Sequence, residues 1–348
     1  MRVVVTGATG NVGSSVVRAL GLEAAVDEIL GLARRLPALR LPKVEWASAD
    51  VAGTDLVALF RGADAVVHLA WLIQPARDEA TTRRTNVDGS ERVMHAVAKA
   101  GVPALVYASS VGAYSPGPKD RRVDESWPTD GISSLFYSRH KAEVERLLDR
   151  FEAERPEVTV TRLRPGLTFK RAAASGIRRL FAGPFLPSPL VRPGLIGAVP
   201  DVANLCFQAV HSVDVGDAYR RAVLAKTPGP FNIAAEPVLD PAELGRLLDA
   251  RPIGVPARGL RGAADAAYRL RLTPTPPGWL DLALSVPLMD TGRARSELGW
   301  VAEHSSGDAL LELLAGLRDG AGMNTPPLAA DTGGPARLRE LLTGVGRR

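Results

Sequence analysis

The first thirteen residues constrain the fold of this chain more than any other stretch. A β-branched run, Val3–Val5, leads into the glycine-rich sequence TGATGNVG at residues 6–13, and an apolar helical pattern follows. A strand, a glycine-rich turn and a helix in this order are typical of a dinucleotide-binding site. Gly7 permits a tight turn, Gly10 lets the backbone approach a pyrophosphate, and Gly13 lets the helix pack close to the strand. The N-terminus of that helix then offers free N–H groups to phosphates.

Composition excludes several classes of function. The chain has 348 residues, 46% of them hydrophobic and 23% charged, which suits one large or two smaller globular domains. The net charge is only +5, and no basic stripe is interleaved with aromatic residues, so we expect no nucleic-acid partner. The five histidines are scattered along the sequence, so we expect no metal site. The sequence shows neither a membrane span nor a secretory pattern, so we expect a cytoplasmic protein that does not bind membranes.

Strands and helices alternate along the first half of the chain. The sequence predicts strands near 2–6, 28–33, 44–48, 64–69, 103–109 and 158–163, and helices near 11–20, 54–61, 81–100 and 136–154. This alternation predicts an α/β fold with a doubly wound parallel sheet of Rossmann type. Ligands of such a sheet lie at the carboxyl ends of its strands.

The second half is expected to form a small, mostly helical substrate subdomain. We assign residues 1–165 to the dinucleotide-binding domain, with 209–235 returning to it, 166–208 and 236–320 to the subdomain, and 321–348 to a flexible tail. Asp214 is expected to cap a helix that runs through Ala225, and Asp240 with Pro241 to begin another. Residues 171–208 mix arginines with apolar and proline-rich pieces. They fit either a lid over an apolar or aromatic substrate or packing between helices.

The end of the second predicted strand bears on the choice of cofactor. An acidic residue at this point hydrogen-bonds the adenosine ribose of NAD, whereas an arginine accommodates the 2′-phosphate of NADP. The sequence carries Arg34 and Arg35 there and no acid. We therefore expect NADP rather than NAD, with solvated surface charge as the other explanation of the two arginines. Asp50 and Val51, after the third strand, are placed to meet the adenine ring.

A tyrosine and a lysine four residues apart carry the clearest chemical signal. Tyr137 and Lys141 share one face of the predicted helix 136–154. With five tyrosines and six lysines in the chain, about 0.09 such pairs are expected by chance. A cation beside a phenol lowers the pKa of the phenol. We therefore expect Tyr137 to exchange a proton near neutral pH.

Other polar side chains near strand ends are weaker candidates. Ser109 and Ser110 follow the fifth predicted strand, where hydroxyl groups face the cleft. Asn86 lies in the predicted helix 81–100 and holds either backbone or a water near the site, unless it is an ordinary polar helix residue. His68 closes the fourth strand and is interpreted as a strand-end residue rather than a catalyst.

Together these residues resemble the extended short-chain dehydrogenase/reductase family, of the NAD(P)-dependent epimerase/dehydratase type. Residues 6–13 match its TGxxGxxG turn, and Tyr137 with Lys141 matches its YxxxK pair. Ser110 falls on its catalytic serine or threonine, and Asn86 on an asparagine of its N-V-x-G segment. The resemblance extends over roughly residues 1–318 and implies a Rossmann-type enzyme that forms a homodimer through helices 81–100 and 136–154.

The resemblance also implies a mechanism. Tyr137 would act as general acid or base with its pKa lowered by Lys141, and Ser110 would hold the substrate oxygen, while hydride passes between substrate and nicotinamide. The expected catalytic residues are Ser110, Tyr137, Lys141 and Asn86. The expected cofactor-binding residues are Gly7, Thr9, Gly10, Asn11, Val12, Gly13, Arg34, Arg35, Asp50, Val51, Leu69, Ala70, Trp71, Tyr137, Lys141 and Pro165.

One departure from the family pattern affects the expected substrate. Its nucleotide-sugar enzymes commonly carry an asparagine and a Tyr-Gly-Pro turn, where this chain has Leu167-Thr168-Phe169-Lys170. We therefore expect net oxidation or reduction at a secondary alcohol or ketone carbon of a small molecule. The alternatives are a nucleotide-sugar epimerase or dehydratase that retains NAD(P), and a catalytically silent NADP-sensing protein.

Overall fold

Seven parallel strands form the central sheet in a computed structural model, which describes residues 1–183, 186 and 191–330. In spatial order they are β11 (Gly229–Ile233), β7 (Thr159–Pro165), β5 (Ala104–Ala108), β4 (Ala65–His68), β1 (Arg2–Thr6), β2 (Glu28–Ala33) and β3 (Val44–Ser48). Strand order runs in opposite directions on the two sides of the β1–β4 pair. Open α/β sheets bind ligands at such a switch point. The predicted Rossmann-type fold is confirmed.

Helices cover both faces of the sheet. They are α1 (Asn11–Gly21), α2 (Leu56–Phe60), α3 (Glu79–Arg83), α4 (Gly89–Ala100), α5 (Phe136–Glu154), α6 (Ala174–Ile177), α7 (Ser212–Ala225), α8 (Pro241–Leu248), α9 (Ala257–Arg269), α10 (Gly278–Ser285), α11 (Gly292–Glu297) and α12 (Ser306–Asp319). A π-helical turn at Arg84–Asp88 joins α3 to α4, and another at Arg178–Ala182 follows α6. No helix within the described ranges is long and apolar enough to cross a membrane.

The alternation of side chains along β1 separates two apolar layers. Val3 and Val5 pack in the layer of α1 and α7, and Val4 packs in the layer of α4 and α5. The first layer is tight, because a Cβ on Gly216 of α7 would lie 2.9 Å from the backbone of Ser15 of α1. The sheet is therefore buried on both faces, as its near-continuous apolar strands require.

Short parallel strand pairs lie outside the central sheet. They are β8 (Leu167–Phe169) with β10 (Ala209–His211), β9 (Ala198–Asp201) with β12 (Arg251–Gly254), and β6 (Arg122–Val123) with β13 (Leu288–Met289). In the last of these pairs, a strand from the first half of the chain pairs with one from the second. Three residues that we assigned to the substrate subdomain pack instead in the α1–α7 layer, namely Ala294, Leu298 and Trp300. The indole of Trp300 is buried there and donates a hydrogen bond to the Asp214 carbonyl oxygen.

Two local expectations differ from the structure. The N-cap of α7 is His211, whose Nδ1 accepts from the Val213 N–H, and not Asp214, which lies in the first turn. Residues 321–330 of the expected flexible tail are packed, because Leu328 is buried and Ala321 accepts a hydrogen bond from the Ser175 N–H. Residues 331–348 of that tail, and residues 184, 185 and 187–190 of the expected lid, lie outside the described residues. Asp240 caps α8 as expected, with Pro241 at its first position.

Candidate active site

Close backbone approach explains the glycines of the turn between β1 and α1. Gly7 has a φ of +68°, and a Cβ on it would lie 2.7 Å from the Ala70 nitrogen. A Cβ on Gly13 would lie 2.2 Å from the Gly7 carbonyl oxygen. Gly10 differs, because its Cβ would meet only the Gly7 oxygen, at 3.4 Å. Gly7 and Gly13 are thus required by packing, whereas Gly10 leaves the turn open to a ligand.

The N-terminus of α1 suits an anion. Its N-cap, Gly10, offers no side chain, and its first turn contains no acidic residue, so the first N–H groups and the positive end of the helix dipole are uncompensated. Asn11 anchors the turn by donating from Nδ2 to the Thr168 carbonyl oxygen at 2.8 Å. Thr9 is buried and Val12 is half-buried beside it. This donor set fits the pyrophosphate of a dinucleotide.

A buried lysine that sequence reasoning did not assign lies against the same helix. Lys170 donates to the Asn11 carbonyl oxygen and to Ser14 Oγ, both at 2.7 Å, and to Ser15 Oγ at 3.1 Å. Burial lowers the pKa of Lys170 to about 7, with a further contribution from Arg18. The residue occupies one of the positions where the sequence departs from the family pattern.

The expected adenosine contacts line the ends of β2 and β3. Arg34 and Arg35 are both exposed just beyond β2. Asp50 forms a local turn by accepting from the Ala52 N–H at 3.0 Å. Val51 is buried against the start of α4, where a Cβ on Gly89 would lie 2.8 Å from it. Both arginine side chains are therefore exposed beyond the carboxyl end of β2.

The segment after β4 is held by side chains on both sides. The N–H groups of Leu69 and Ala70 each lie 3.3 Å from Thr6 Oγ1, to which they donate. Asn86 accepts from the Leu72 N–H at 2.7 Å and donates to the Leu72 oxygen at 2.8 Å. Its side chain thus holds backbone, which is one of the two roles expected from the sequence. These hydrogen bonds hold the backbone on both sides of Trp71 and so fix its position.

His68 has a structural environment. Its two ring nitrogens lie 2.7 Å from Thr6 Oγ1 and 2.9 Å from Ser90 Oγ, and burial lowers its pKa to about 3. It is therefore neutral at physiological pH and tied at both nitrogens, as expected for a strand-end residue.

Ser110, Tyr137 and Lys141 come together at the carboxyl end of β5. Ser110 Oγ accepts the Gly112 N–H at 3.0 Å, and the Ser110 hydroxyl also hydrogen-bonds with Tyr137. The ring of Tyr137 lies over Gly112, where a Cβ would be 2.9 Å from Tyr137 Cε1. The Tyr137 side chain is partly exposed, whereas Ser110 and Lys141 are buried. The hydroxyl pair therefore lies at the carboxyl end of β5, the strand next to β4.

The electrostatic role expected for Lys141 is wrong in this structure. Its Nζ donates to the Ala108 carbonyl oxygen at 2.5 Å and lies 3.5 Å from the centre of the Trp71 ring, but 5.9 Å from that of Tyr137. Burial raises the pKa of Tyr137, and hydrogen bonding with Ser110 lowers it. Burial also lowers the pKa of Lys141 well below its ordinary value, against the attraction of Glu145. The spacing on the helix correctly indicated a shared face, but the lysine is directed to backbone and to an indole.

A buried ion network lies beneath the catalytic face of α5. Glu145, one turn beyond Lys141, is fully buried and accepts from Ser109 Oγ, from Arg162 Nη1 at 2.9 Å and from Arg164 Nε at 2.9 Å. Burial alone would raise the pKa of Glu145, but the two guanidinium groups, Arg164 first, lower it to about 2. The network joins β5, α5 and β7. Pro165 ends β7 beside this network.

The fold also brings together two histidines that are distant in the sequence. The rings of His211 and His304 lie 4.2 Å apart, and one ligand atom from each lies within 4.8 Å of an Asp214 carboxylate oxygen. Asp214 accepts from His304 Nδ1 at 2.9 Å and from the His304 N–H at 3.0 Å. These contacts tie the segment before α12 to α7, a juxtaposition that scattered positions in the sequence could not reveal.

Comparison with known proteins identifies the first half of the chain. Residues 3–170 match the profile of the family described as NAD dependent epimerase/dehydratase. This part of the chain is similar to that family over 168 residues. The family match supports an enzyme of this kind, and it confirms the resemblance seen in the glycine turn and in the Tyr137–Lys141 pair.

Similarity to some known proteins extends beyond residues 3–170. The uncharacterized protein Rv2047c of Mycobacterium tuberculosis is 27% identical over 330 residues, which is 93% of this chain and 31% of that protein. The chain thus spans about a third of the length of this relative. The 3beta-hydroxysteroid-dehydrogenase/decarboxylase isoform 1 of Arabidopsis thaliana is 33% identical over 113 residues, 32% of this chain and 26% of that protein. UDP-glucose-4-epimerase of Stenotrophomonas maltophila, solved with bound NAD and formylated UDP-arabinopyranose, is 20% identical with a TM-score of 0.67, covering 92% of this chain and 98% of that one.

Proposed function

We propose that the chain is an NAD(P)-dependent oxidoreductase that transfers hydride at a secondary alcohol or ketone carbon of a small molecule. The observation that carries this proposal is the meeting of Ser110 and Tyr137 hydroxyls at the carboxyl end of β5, one helical turn from Lys141. When bound, the nicotinamide supplies or accepts the hydride. The protein supplies geometry and proton transfer.

The roles of the two hydroxyl groups follow from their contacts. Ser110 accepts the Gly112 N–H and hydrogen-bonds with Tyr137, and its hydroxyl would turn to a bound substrate oxygen and stabilise negative charge there. Tyr137 donates its proton to that oxygen in reduction and accepts it in oxidation. Lys141 stays bound to the Ala108 carbonyl oxygen and limits how far the Tyr137 face of α5 can shift.

The proposed cofactor is NADP, with NAD as the alternative. The uncapped N-terminus of α1 would hold the pyrophosphate, Asp50 and Val51 would border the adenine, and Arg34 with Arg35 would bind a 2′-phosphate. The UDP-glucose-4-epimerase structure contains NAD, so the fold alone does not decide between the two cofactors. Arg34 and Arg35 are the feature that favours NADP. Replacing both by alanine should weaken NADPH binding about 10- to 100-fold and leave NADH binding within about threefold.

A nucleotide-sugar epimerase or dehydratase is the second candidate, because the UDP-glucose-4-epimerase structure shares this fold. The decisive experiment titrates purified protein with NADPH and NADH, and then screens ketones, alcohols and sugar nucleotides on the same sample. We expect turnover of a ketone that requires added NADPH and falls about 10²- to 10⁴-fold in Tyr137→Phe. Sugar-nucleotide turnover without added cofactor would replace the oxidoreductase proposal. An unchanged rate in Tyr137→Phe would favour a cofactor-sensing protein.

We also propose the division into a dinucleotide-binding domain and a substrate subdomain, a cytoplasmic location, and a homodimer through α4 and α5. Within one chain, Arg83 at the end of α3 pairs with Glu143 of α5. Light scattering at micromolar concentration should give twice the chain mass. A monomer mass would reject the homodimer.

A further inference from the structure

Aromatic rings from three separate segments form a connected cluster that includes Tyr137. Trp279 of α10 lies 5.0 Å from Tyr137 between ring centres, tilted by 38°, and Trp71 presents its edge at 5.9 Å. Phe181 meets the Trp279 ring edge-on at 4.9 Å. Aromatic residues make up only 5% of the chain. Four rings joined by these contacts are therefore a local concentration, which we call the aromatic clamp (Trp71, Tyr137, Phe181 and Trp279).

The aromatic clamp differs from the aromatic residues of the core. Large core rings such as Trp300, Tyr219 and Phe231 are essentially inaccessible, whereas all four clamp rings keep part of their surface exposed. The indole N–H of Trp71 is buried and has no acceptor among the described residues. Exposed faces and an unsatisfied donor at the reaction site are features of a ligand-binding surface rather than of finished packing.

One side chain ties the ring-bearing segments together. Gln74, three residues after Trp71, donates from Nε2 to the Leu180 oxygen at 3.0 Å and to the Pro274 oxygen at 3.1 Å. Thr275 Oγ1 donates to the Phe181 oxygen. The three segments are therefore placed relative to one another by hydrogen bonds, and Gln74 is a positioning residue for the clamp.

The described arginines next to Phe181 are directed away from any substrate phosphate. Arg178 and Arg179 are both buried. Arg178 donates to the Gly183 oxygen at 3.0 Å, and Arg179 donates to the oxygens of Ala329 at 2.9 Å and Pro327 at 2.6 Å. These guanidinium groups hold backbone. Their charge is thus used within the protein and not presented to a diphosphate.

We infer that the site takes planar, apolar alcohols or ketones whose ring system stacks on Trp279 between Phe181 and Trp71. This inference rests on the proposed function and names its substrate class. Flat apolar rings gain both burial and offset stacking against an indole. A ring held on Trp279 brings an oxygen on its edge to the Tyr137 and Ser110 hydroxyl groups. The ribose and diphosphate of a sugar nucleotide find no matching partner among the described clamp residues.

The test compares matched ketones on protein saturated with NADPH. We expect kcat/KM for 2-acetonaphthone to exceed that for methyl cyclohexyl ketone and for dihydroxyacetone at least about tenfold. Trp279→Leu should remove most of this preference through KM, and Trp279→Phe should restore part of it. Gln74→Ala should weaken the preference as well, because it releases the segments that carry the rings. Trp127→Phe, which changes an indole outside the clamp, is the matched control and should keep the preference.

Binding supplies a readout that does not depend on turnover. 2-Acetonaphthone should quench tryptophan fluorescence of the cofactor-saturated protein, and Trp279→Phe should lose most of the quenching, whereas UDP-glucose should give none. Equal kcat/KM for the three ketones, or equal losses on all of them in Trp279→Leu, would overturn the inference. If no ketone is reduced, the proposed oxidoreductase fails, and the fluorescence arm alone decides the substrate class. Saturable UDP-glucose binding without aromatic-ketone binding would then refute the clamp.

Discussion

Two regions that face each other across the reaction site are held by different forces. The floor consists of β5, β7, α5 and the turn before α1, and its charged groups are buried: Glu145 is 0% exposed and Arg164 is 4% exposed. The cover consists of α9 and α10, and none of the α9 residues is buried. Its charged contacts are surface pairs, such as Arg261 with Asp281 at 2.7 Å.

This difference divides two tasks between the regions: the floor holds the groups proposed for the chemistry, and the cover carries a ring proposed for substrate specificity. Buried ion pairs are costly to break once formed, because each partner would be left charged in a medium of low polarity. Surface pairs contribute little, because water competes for both partners. The floor can therefore keep Ser110 and Tyr137 in register through buried charge. Helix α9 of the cover is the more exposed element, and Leu270, just beyond its end, is 70% exposed.

The largest effect should come from breaking the floor at its buried carboxylate. Glu145→Ala leaves Arg162 and Arg164 without their shared partner, and we expect a loss of about 3–5 kcal/mol in the free energy of unfolding. Urea denaturation at pH 7 measures it. A loss below about 1 kcal/mol would show that water replaces the carboxylate and that the floor is not held as described.

A smaller loss of stability is expected from adding a side chain where the glycine turn and α1 are in close contact. Gly13→Ala places a Cβ 2.2 Å from the Gly7 oxygen, so α1 must move away from the turn. We expect about 1–3 kcal/mol of destabilisation and at least tenfold weaker NADPH binding. Gly259→Ala in α9 is the matched control, because nothing lies within 4 Å of its Cβ. It should leave binding unchanged and stabilise the protein by up to about 1 kcal/mol.

The buried amino group of Lys170, which lies against α1, predicts a pH dependence. The pKa of Lys170 is lowered to about 7 in the folded protein, so between pH 7 and its ordinary value of 10.5 the unfolded chain binds one more proton. Stability from this residue therefore rises with pH across that window, by up to about 1.4 kcal/mol per pH unit. Lys170→Met should reduce the slope of unfolding free energy against pH, whereas exposed Lys99→Met should not. Parallel slopes for wild type and Lys170→Met would contradict the burial of an ammonium group beside α1.

The smallest effect should come from the cover. Asp281→Ala removes the surface pair with Arg261, and we expect the free energy of unfolding to change by no more than about 1 kcal/mol. Thermal unfolding at low and at high salt measures it, and added salt should reduce the difference from wild type further. A loss comparable to that of Glu145→Ala would mean that the cover is as firmly integrated as the floor, and the comparison would fail.

Much of the floor could be predicted because its signals are local. The six predicted strands lie within about two residues of β1, β2, β3, β4, β5 and β7. The Tyr137–Lys141 spacing placed both residues on one face of α5. The cap of α7 was misassigned, because a histidine Nδ1 at position 211 accepts the N–H that an aspartate usually takes. Sequence reasoning also missed Lys170, although its place in a departure from the family pattern was a usable signal.

The sequence by itself determined the Rossmann sheet, the glycine turn and the position of the hydroxyl pair, because period, turn chemistry and helix spacing act within a few residues. Only the tertiary structure decided what surrounds those groups. It directed Lys141 to Ala108 and Trp71, buried Glu145 between two arginines, and joined the rings of residues 71, 181 and 279 into one cluster with Tyr137. Such contacts join residues far apart in the chain, and burial sets their strength, so no local pattern encodes them.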